Sequence, residues 1–332
     1  MHDDATRAET TRKVLLLIFV LGPMAATAYA VWALWMAWVT PLDVGLLIGG
    51  WIVTGLGITV GFHRMLTHRS FEAPVWVRAF WLALGSMAVE GGALNWAAIH
   101  AEHHVHSDQE GDPHSPLAGF WHAHFGWMWN GFGGHPERYV PQLVGDPLVR
   151  WFERTFIVWV GVGLVVPFAV GGLFGGPIGG PIGGPSAPAA AWSWSAAWMA
   201  LVWGGFVRIF VTHHITWSVN SVCHVFGGRM FETKDVSRNN LIVGLLAFGE
   251  GWHNNHHAFP RSAFHGLRWW QIDASGYIIR AMESVGLASD VYRVPRERQE
   301  LRRKGAGRLT HPHLESERAR AFAEEHDVVP AR

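Results

Sequence analysis

Residues 14–62 read VLLLIFVLGPMAATAYAVWALWMAWVTPLDVGLLIGGWIVTGLGITVGF, a stretch without a single Lys or Arg. A bilayer crossing needs about 20 apolar residues, so this stretch is long enough for two. Thr40-Pro41-Leu42-Asp43 supplies a turn between them, which places spans near 14–38 and 43–62. A second stretch free of basic residues runs from 155 to 207, and GGPIGGPIGGPSAP at 175–188 divides the apolar region there into spans near 155–174 and 190–211. The Gly/Pro repeat reads as a short hairpin between helices. The first span is too long for a cleaved signal peptide, and another span follows it directly.

Orientation follows from where the charges sit. Arg7, Arg12 and Lys13 precede the first span, the 63–154 segment is Arg-rich, and so is the chain after Arg208. The two turns on the other side carry no basic residue, so the positive-inside rule puts both termini and the middle segment in the cytoplasm. The expected architecture is an all-α integral membrane protein whose four transmembrane helices carry a cytoplasmic helical cap. Residues 1–13 form a cytoplasmic N-terminal tail, 14–285 the membrane domain, and 286–332 a charged, solvated C-terminal tail. Arg outnumbers Lys 23 to 3, a composition that points to a GC-rich bacterial genome and hence a bacterial cytoplasmic membrane. Basic and acidic residues balance at 26 each, so no basic field invites nucleic acid. The single cysteine, Cys223, excludes a disulfide framework and a Cys-rich zinc site.

Chemistry enters with the histidines. HRMLTH at 63–68, HAEHH at 100–104 and HNNHH at 253–257 hold eight of them. Two clusters share H-x-x-H-H, which on a helix puts three rings on one narrow face. At this composition a given window matches that pattern roughly once in four thousand, so two matches are not chance. Eight imidazoles are too many for one metal and suit two. An all-histidine shell suits iron, copper, nickel or zinc rather than magnesium or calcium. A redox pair at the ends of apolar helices suits oxidation of a lipid chain better than hydrolysis. Residues 75–99 are apolar but interrupted by Arg78 and Glu90, and read as an interfacial or buried helix leading to His100. His122, His124 and His135 read as part of an aromatic membrane-surface segment, and His213 and His214 as non-ligands.

GFHRMLTHRSFEAP, HxxHHVHSDxEGDPHSP, GFWxxHFGW, TWxVNSVCH and GEGWHNNHHAFP, taken in this order around two pairs of spans, resemble the membrane-bound fatty-acyl desaturases of the Δ9, stearoyl-CoA desaturase-like branch. The resemblance covers about residues 45–285. It implies a diiron centre, with His63, His68, His100, His104 and His256 on one iron. His103, His224, His253 and His257 would hold the other, with Asn220 reaching it through a water. It also implies O2-dependent removal of two vicinal hydrogens from a saturated fatty-acyl chain to give a cis double bond at Δ9. Glu90, Trp96, Thr216 and Trp217 would line the bend of the substrate tunnel. Glu90 stands where eukaryotic members carry Gln, while Ala98 and Ile99 replace an Arg and an Asp near the CoA head group. The substrate is therefore an acyl-CoA, an acyl-lipid or a carrier-protein thioester. A related membrane diiron hydroxylase is the alternative reading. The chain has no flavin or dinucleotide fingerprint and too few cysteines for an iron–sulfur cluster, so electrons must come from a ferredoxin-like protein or another reductase. Arg229, Lys234 and Arg238, close in sequence to His224, are candidates for its dock.

Overall fold

The computed structural model describes residues 2–130, 134–175 and 192–305, and among these it is helical with no strand, only isolated bridges such as Glu72 to Ser289. Four helices are long and apolar enough to cross a membrane: Leu16–Trp35, Pro41–Thr67, Phe156–Phe174 and Trp194–Val225. We call the helices that contain them α1 (His2–Trp35), α2 (Pro41–Thr67), α5 (Phe156–Phe174) and α6 (Trp194–Val225); between α2 and α5 lie α3 (Val75–Ser86) and α4 (Ala93–His106). Their outward faces carry exposed Leu21, Val31, Ile48, Ile52, Val158, Val165 and Leu173, the pattern of a surface that meets lipid.

Local sequence explains the ends. Thr40 and Asp43 form a reciprocal capping box at the start of α2, with Pro41 at its first position, a combination that satisfies orphan N–H groups where the chain turns. The expected 1–13 tail has no boundary of its own, because α1 runs unbroken from His2. The expected hairpin at 175–188 falls almost wholly among residues 176–191, outside the described residues. Two spans are longer than the charge pattern indicates. The second runs on through Thr67 and the fourth through Val225, carrying His63 and His224 on the ends of membrane helices. From Gly57 to Thr67 the second span is wound as a π-helix, with the His68 amide on the His63 carbonyl at 3.0 Å. Gly57 lies so close to α3 that a Cβ there would be 2.2 Å from the Gly85 nitrogen.

The 75–99 segment is two helices rather than one. The break carries Val89 at φ 66° and Gly91 at φ 105°. A β-branched residue in the left-handed region is an outlier that its surroundings must hold. Two residues of α6 do so: Arg208 donates to the Met87 carbonyl, and His213 Nε2 lies 3.2 and 3.0 Å from the carbonyls of Ala88 and Val89. Arg208 is buried in the span, bonded otherwise to the carbonyls of Gly163 and Gly204. Each of its three guanidinium nitrogens thus donates to a backbone carbonyl, the kind of partner a charge within a span needs.

The expectation of a solvated tail from 286 is corrected through Lys304. Ser289 pairs with Glu72, Tyr292 N donates to the Ser70 carbonyl at 2.9 Å, Val294 is buried, and Phe231 bridges Arg303. Apolar side chains spaced among the charges pull the segment onto the cap. Residues 306–332 lie outside the described residues.

Candidate metal centre and cavity

Four helical segments deliver the histidines. The end of α2 brings His63 and His68, α4 brings His100, His103 and His104, the end of α6 brings His224, and a short helix, α7 (His253–Ala258), brings His253, His256 and His257. They sort into two groups. In one, ring nitrogens of His63, His68, His100, His104 and His256 all lie within 4.8 Å of one another; in the other, so do those of His103, His224, His253 and His257. The groups are adjacent, with the rings of His104 and His257 4.7 Å apart.

Within the five-histidine group the Nε2 separations are 3.1 Å for His63–His256, 2.9 Å for His68–His100, 3.0 Å for His100–His104 and 2.9 Å for His104–His256. In the four-histidine group His224–His253 and His253–His257 are each 3.0 Å apart. Imidazoles bound to a metal at about 2.1 Å place neighbouring nitrogens about 3.0 Å apart in an octahedral shell. The spacing therefore fits a cation at the centre of each group. Burial, reinforced by the neighbouring rings, holds His68, His100, His103, His104, His253 and His256 well below the usual histidine range. Neutral imidazole is the ligating form.

Carboxylates hold the far side of several rings. His63 Nδ1 lies 2.7 Å from Glu250, and Nδ1 of His103, His224 and His257 each lie 2.9 Å from Asp112, Asp108 and Asp235. This arrangement fixes the tautomer and turns Nε2 toward a metal. Burial pushes the Asp235 carboxyl up, but His257 and Ser237 outweigh it and hold it well below the carboxylate range. Glu250 is also held low against its burial, by His265, His63 and Arg64. The Arg64 guanidinium sits between Glu250 at 3.0 Å and Asp273 at 2.9 Å with no exposed surface. None of these four ring-supporting carboxylates stands out by sequence reasoning, although Asp108 and Asp112 lie in HSDQEGDPH and Glu250 in GEGW. His265 escapes that reasoning too, and sits 3.1 Å from Glu250.

Beside the histidines lies a cavity of about 660 Å³, walled by Leu16 and Phe19 of α1, Phe156 and Ile157 of α5, and Trp217 of α6. A smaller space of about 50 Å³ continues beyond it toward Trp51 and Phe248, and both are lined by Trp96, His100, Thr216 and Asn220. Trp96 stacks on His100 at 5.2 Å and donates from Nε1 to Glu90 at 3.1 Å. Burial pushes the Glu90 carboxyl up to about 7, against the opposing effect of Thr216 and Trp96. Glu90, Trp96, Thr216, Trp217 and Asn220 thus all border the cavity. Other histidines join neither group: His213 borders the cavity and serves the backbone of the 87–89 turn, and His124 lies 3.0 Å from His214 and 2.8 Å from Ser221. Cys223 is buried and packs among apolar neighbours.

The sequence profile of the fatty acid desaturase family matches residues 38–283. The chain is 38% identical over 287 residues to a hex-5-enoyl-[acyl-carrier protein] acetylenase of Moorena producens, covering 83% of this chain and 84% of that one. It is 37% identical to an sn-1 stearoyl-lipid 9-desaturase of Anabaena variabilis, over 82% of this chain and 92% of the other. It is 36% identical to an icosanoyl-CoA 5-desaturase of Limnanthes douglasii, over 88% and 74%. Carrier-protein, lipid and CoA substrates all occur in these names at nearly equal identity, so identity alone does not select among them.

Proposed function

The chain belongs to the fatty acid desaturase family, and from that premise we propose that it is an O2-dependent diiron desaturase acting on the acyl chain of a membrane lipid. Family membership makes it an oxidoreductase of acyl chains; the metal, the substrate form and the sidedness are what we propose. The observation that carries the reading is the contact between the histidine groups and the apolar cavity with its inner extension, through His100, His63 and His253. Five neutral imidazoles would hold one iron; four would hold the other, with Asn220 reaching it through a water. Two bound irons would supply the reduction of dioxygen that makes an unactivated C–H bond breakable. The reaction balances as R–CH2–CH2–R′ + O2 + 2 e− + 2 H+ giving R–CH=CH–R′ + 2 H2O, with both electrons drawn from a separate donor protein.

The protein's own residues do the positioning. Methylenes offer no polar handle, so one C–C bond is selected by the shape of the space around it. Trp96, Thr216 and Trp217 shape the bend, and Glu90, held by Trp96, faces it as a partly neutral acid. Among the described residues no Lys or Arg lines the cavity, and its outer wall is built from two membrane spans. That favours a chain still attached to a bilayer lipid over one carried on a polyanionic CoA. The Anabaena relative's name supports the Δ9 position and a lipid substrate. The charge pattern supports a cytoplasmic site in a bacterial inner membrane. A reporter fused at residue 185 should then report the opposite face, and cytoplasmic behaviour there would overturn the topology.

Gas chromatography with mass spectrometry on lipids of a host expressing the chain tests the activity. New cis-monounsaturated acyl groups are expected. Hydroxylated acyl products instead would establish the hydroxylase alternative, and unchanged lipids in a strain with iron-loaded protein would reject both.

A further inference from the structure

The two histidine groups differ in how they meet the outside. His103, His224, His253 and His257 are buried, at 1%, 2%, 2% and 8% exposure. In the five-histidine group His63 and His256 are buried, but His68, His100 and His104 are half-buried. His100 borders the substrate cavity; His68 and His104 border neither the cavity nor its inner extension. Among the described residues, the Nδ1 atoms of His68 and His104 have no hydrogen-bond partner, yet they are not among the buried unpartnered atoms. Water therefore reaches the back of these two rings at a surface separate from the one the substrate uses.

We propose that this surface, around His68 and His104, is where an acidic one-electron carrier protein docks and delivers electrons to the five-histidine group. The inference rests on the desaturase reading, which requires two external electrons per double bond, one from each of two reduced carriers that leave oxidised. An electron should enter where the least protein separates donor from ligand shell, and here a ligand ring itself reaches the surface. Two exposed guanidinium groups flank it. Arg69 follows His68 directly, with only a loose exposed pairing to Glu72 at 3.6 Å, which is worth little in water. Arg261 lies over the Tyr292 ring at 5.4 Å, and Tyr292 N is bonded to the Ser70 carbonyl at 2.9 Å, so the two arginines belong to one neighbourhood. The dock expected from sequence is less suited. Arg229 is engaged by Thr233, Arg238 donates to the Gly227 carbonyl, and the ligand nearest them in sequence, His224, is buried.

A plant-type [2Fe–2S] ferredoxin is the probe. Its dissociation constant for the iron-loaded protein in detergent should rise with salt, and an Arg69→Glu, Arg261→Glu double variant should weaken binding by roughly tenfold or more. Iron content and the yield of unsaturated product with dithionite as a small-molecule reductant should not change. Lys234→Glu, Arg238→Glu should bind ferredoxin as the parent does. Unchanged affinity in the first variant, a loss confined to the second, or no ferredoxin binding by the parent would each overturn the proposal. Absence of unsaturated product with dithionite would instead reject the desaturase reading, whatever the affinities.

Discussion

Five histidines and four histidines sit side by side here, yet they are supported by opposite means. In the four-histidine group three rings rest on carboxylates of their own, Asp112, Asp108 and Asp235. In the five-histidine group, among the described residues, only His63 has one, Glu250, which also faces Arg64. A carboxylate on Nδ1 makes Nε2 a better donor, so toward a metal the smaller group would offset its lower number of rings with basicity. The larger group relies on number. Geometry is shared between the two; electron richness is not.

The largest effect should come from removing ligands on the side that relies on number. A His104→Ala, His256→Ala variant should lose activity entirely and keep about one iron of two, measured by elemental analysis. Full activity or two irons would dissolve the distinction between the groups. A sharper comparison sets the carboxylates against each other. Glu250→Gln should cost about 1–3 kcal/mol of stability by removing one of the two carboxylates that face the buried Arg64 guanidinium, which keeps Asp273, read as a lowered unfolding temperature. Asp235→Asn leaves no guanidinium with a carboxylate fewer. It should instead weaken metal binding at the four-histidine group by about 10- to 100-fold with the fold nearly intact, read by chelator competition. Equal stability losses in both would show that the asymmetry is not functional.

The smallest effect belongs to Glu90, which touches neither group. Burial raises its folded-state pKa from the ordinary 4.5 to about 7, so the folded form holds its proton longer than the unfolded form does. Stability should therefore fall as pH rises through that window. Glu90→Gln should flatten this dependence in thermal unfolding while keeping activity, and Glu90→Leu should lower activity or move the double bond. A parent unfolding temperature that does not fall between those pH values would show that the carboxyl is not held neutral.

Much of the fold and most of the metal site are legible in the order of residues alone. Spans announce themselves by what they exclude, and a run without Lys or Arg is visible however it packs. Histidines are rare enough for their spacing to carry information, and all eight in the three clusters fall within the two groups. The ninth, His224, is legible only through family resemblance, because no spacing ties it to a cluster. The supporting carboxylates are not legible, because Asp108 meets His224 across 116 positions and Asp235 meets His257 across 22. Aspartate in a polar loop looks the same whether it faces water or an imidazole. The break at 87–92 is hidden for a related reason: the clamp that holds Val89 comes from Arg208 and His213, on a helix far along the chain.

The π-wound end of the second span sets how the chain between His63 and His68 would respond to insertions and deletions. His63 and His68 are five residues apart, a spacing that would splay them by about 140° on an α-helix. The wide turn, closed by the bond from the His68 amide to the His63 carbonyl, brings them back to one side. Such a turn amounts to an α-helix with one residue added. Deleting Met65 would return the pair to a four-residue spacing, at which an ordinary α-helix also sets both rings on one side, whereas adding a residue there would have no regular helix to fall into. Deleting Met65 is therefore expected to disturb the pair of rings less than adding a residue at the same point.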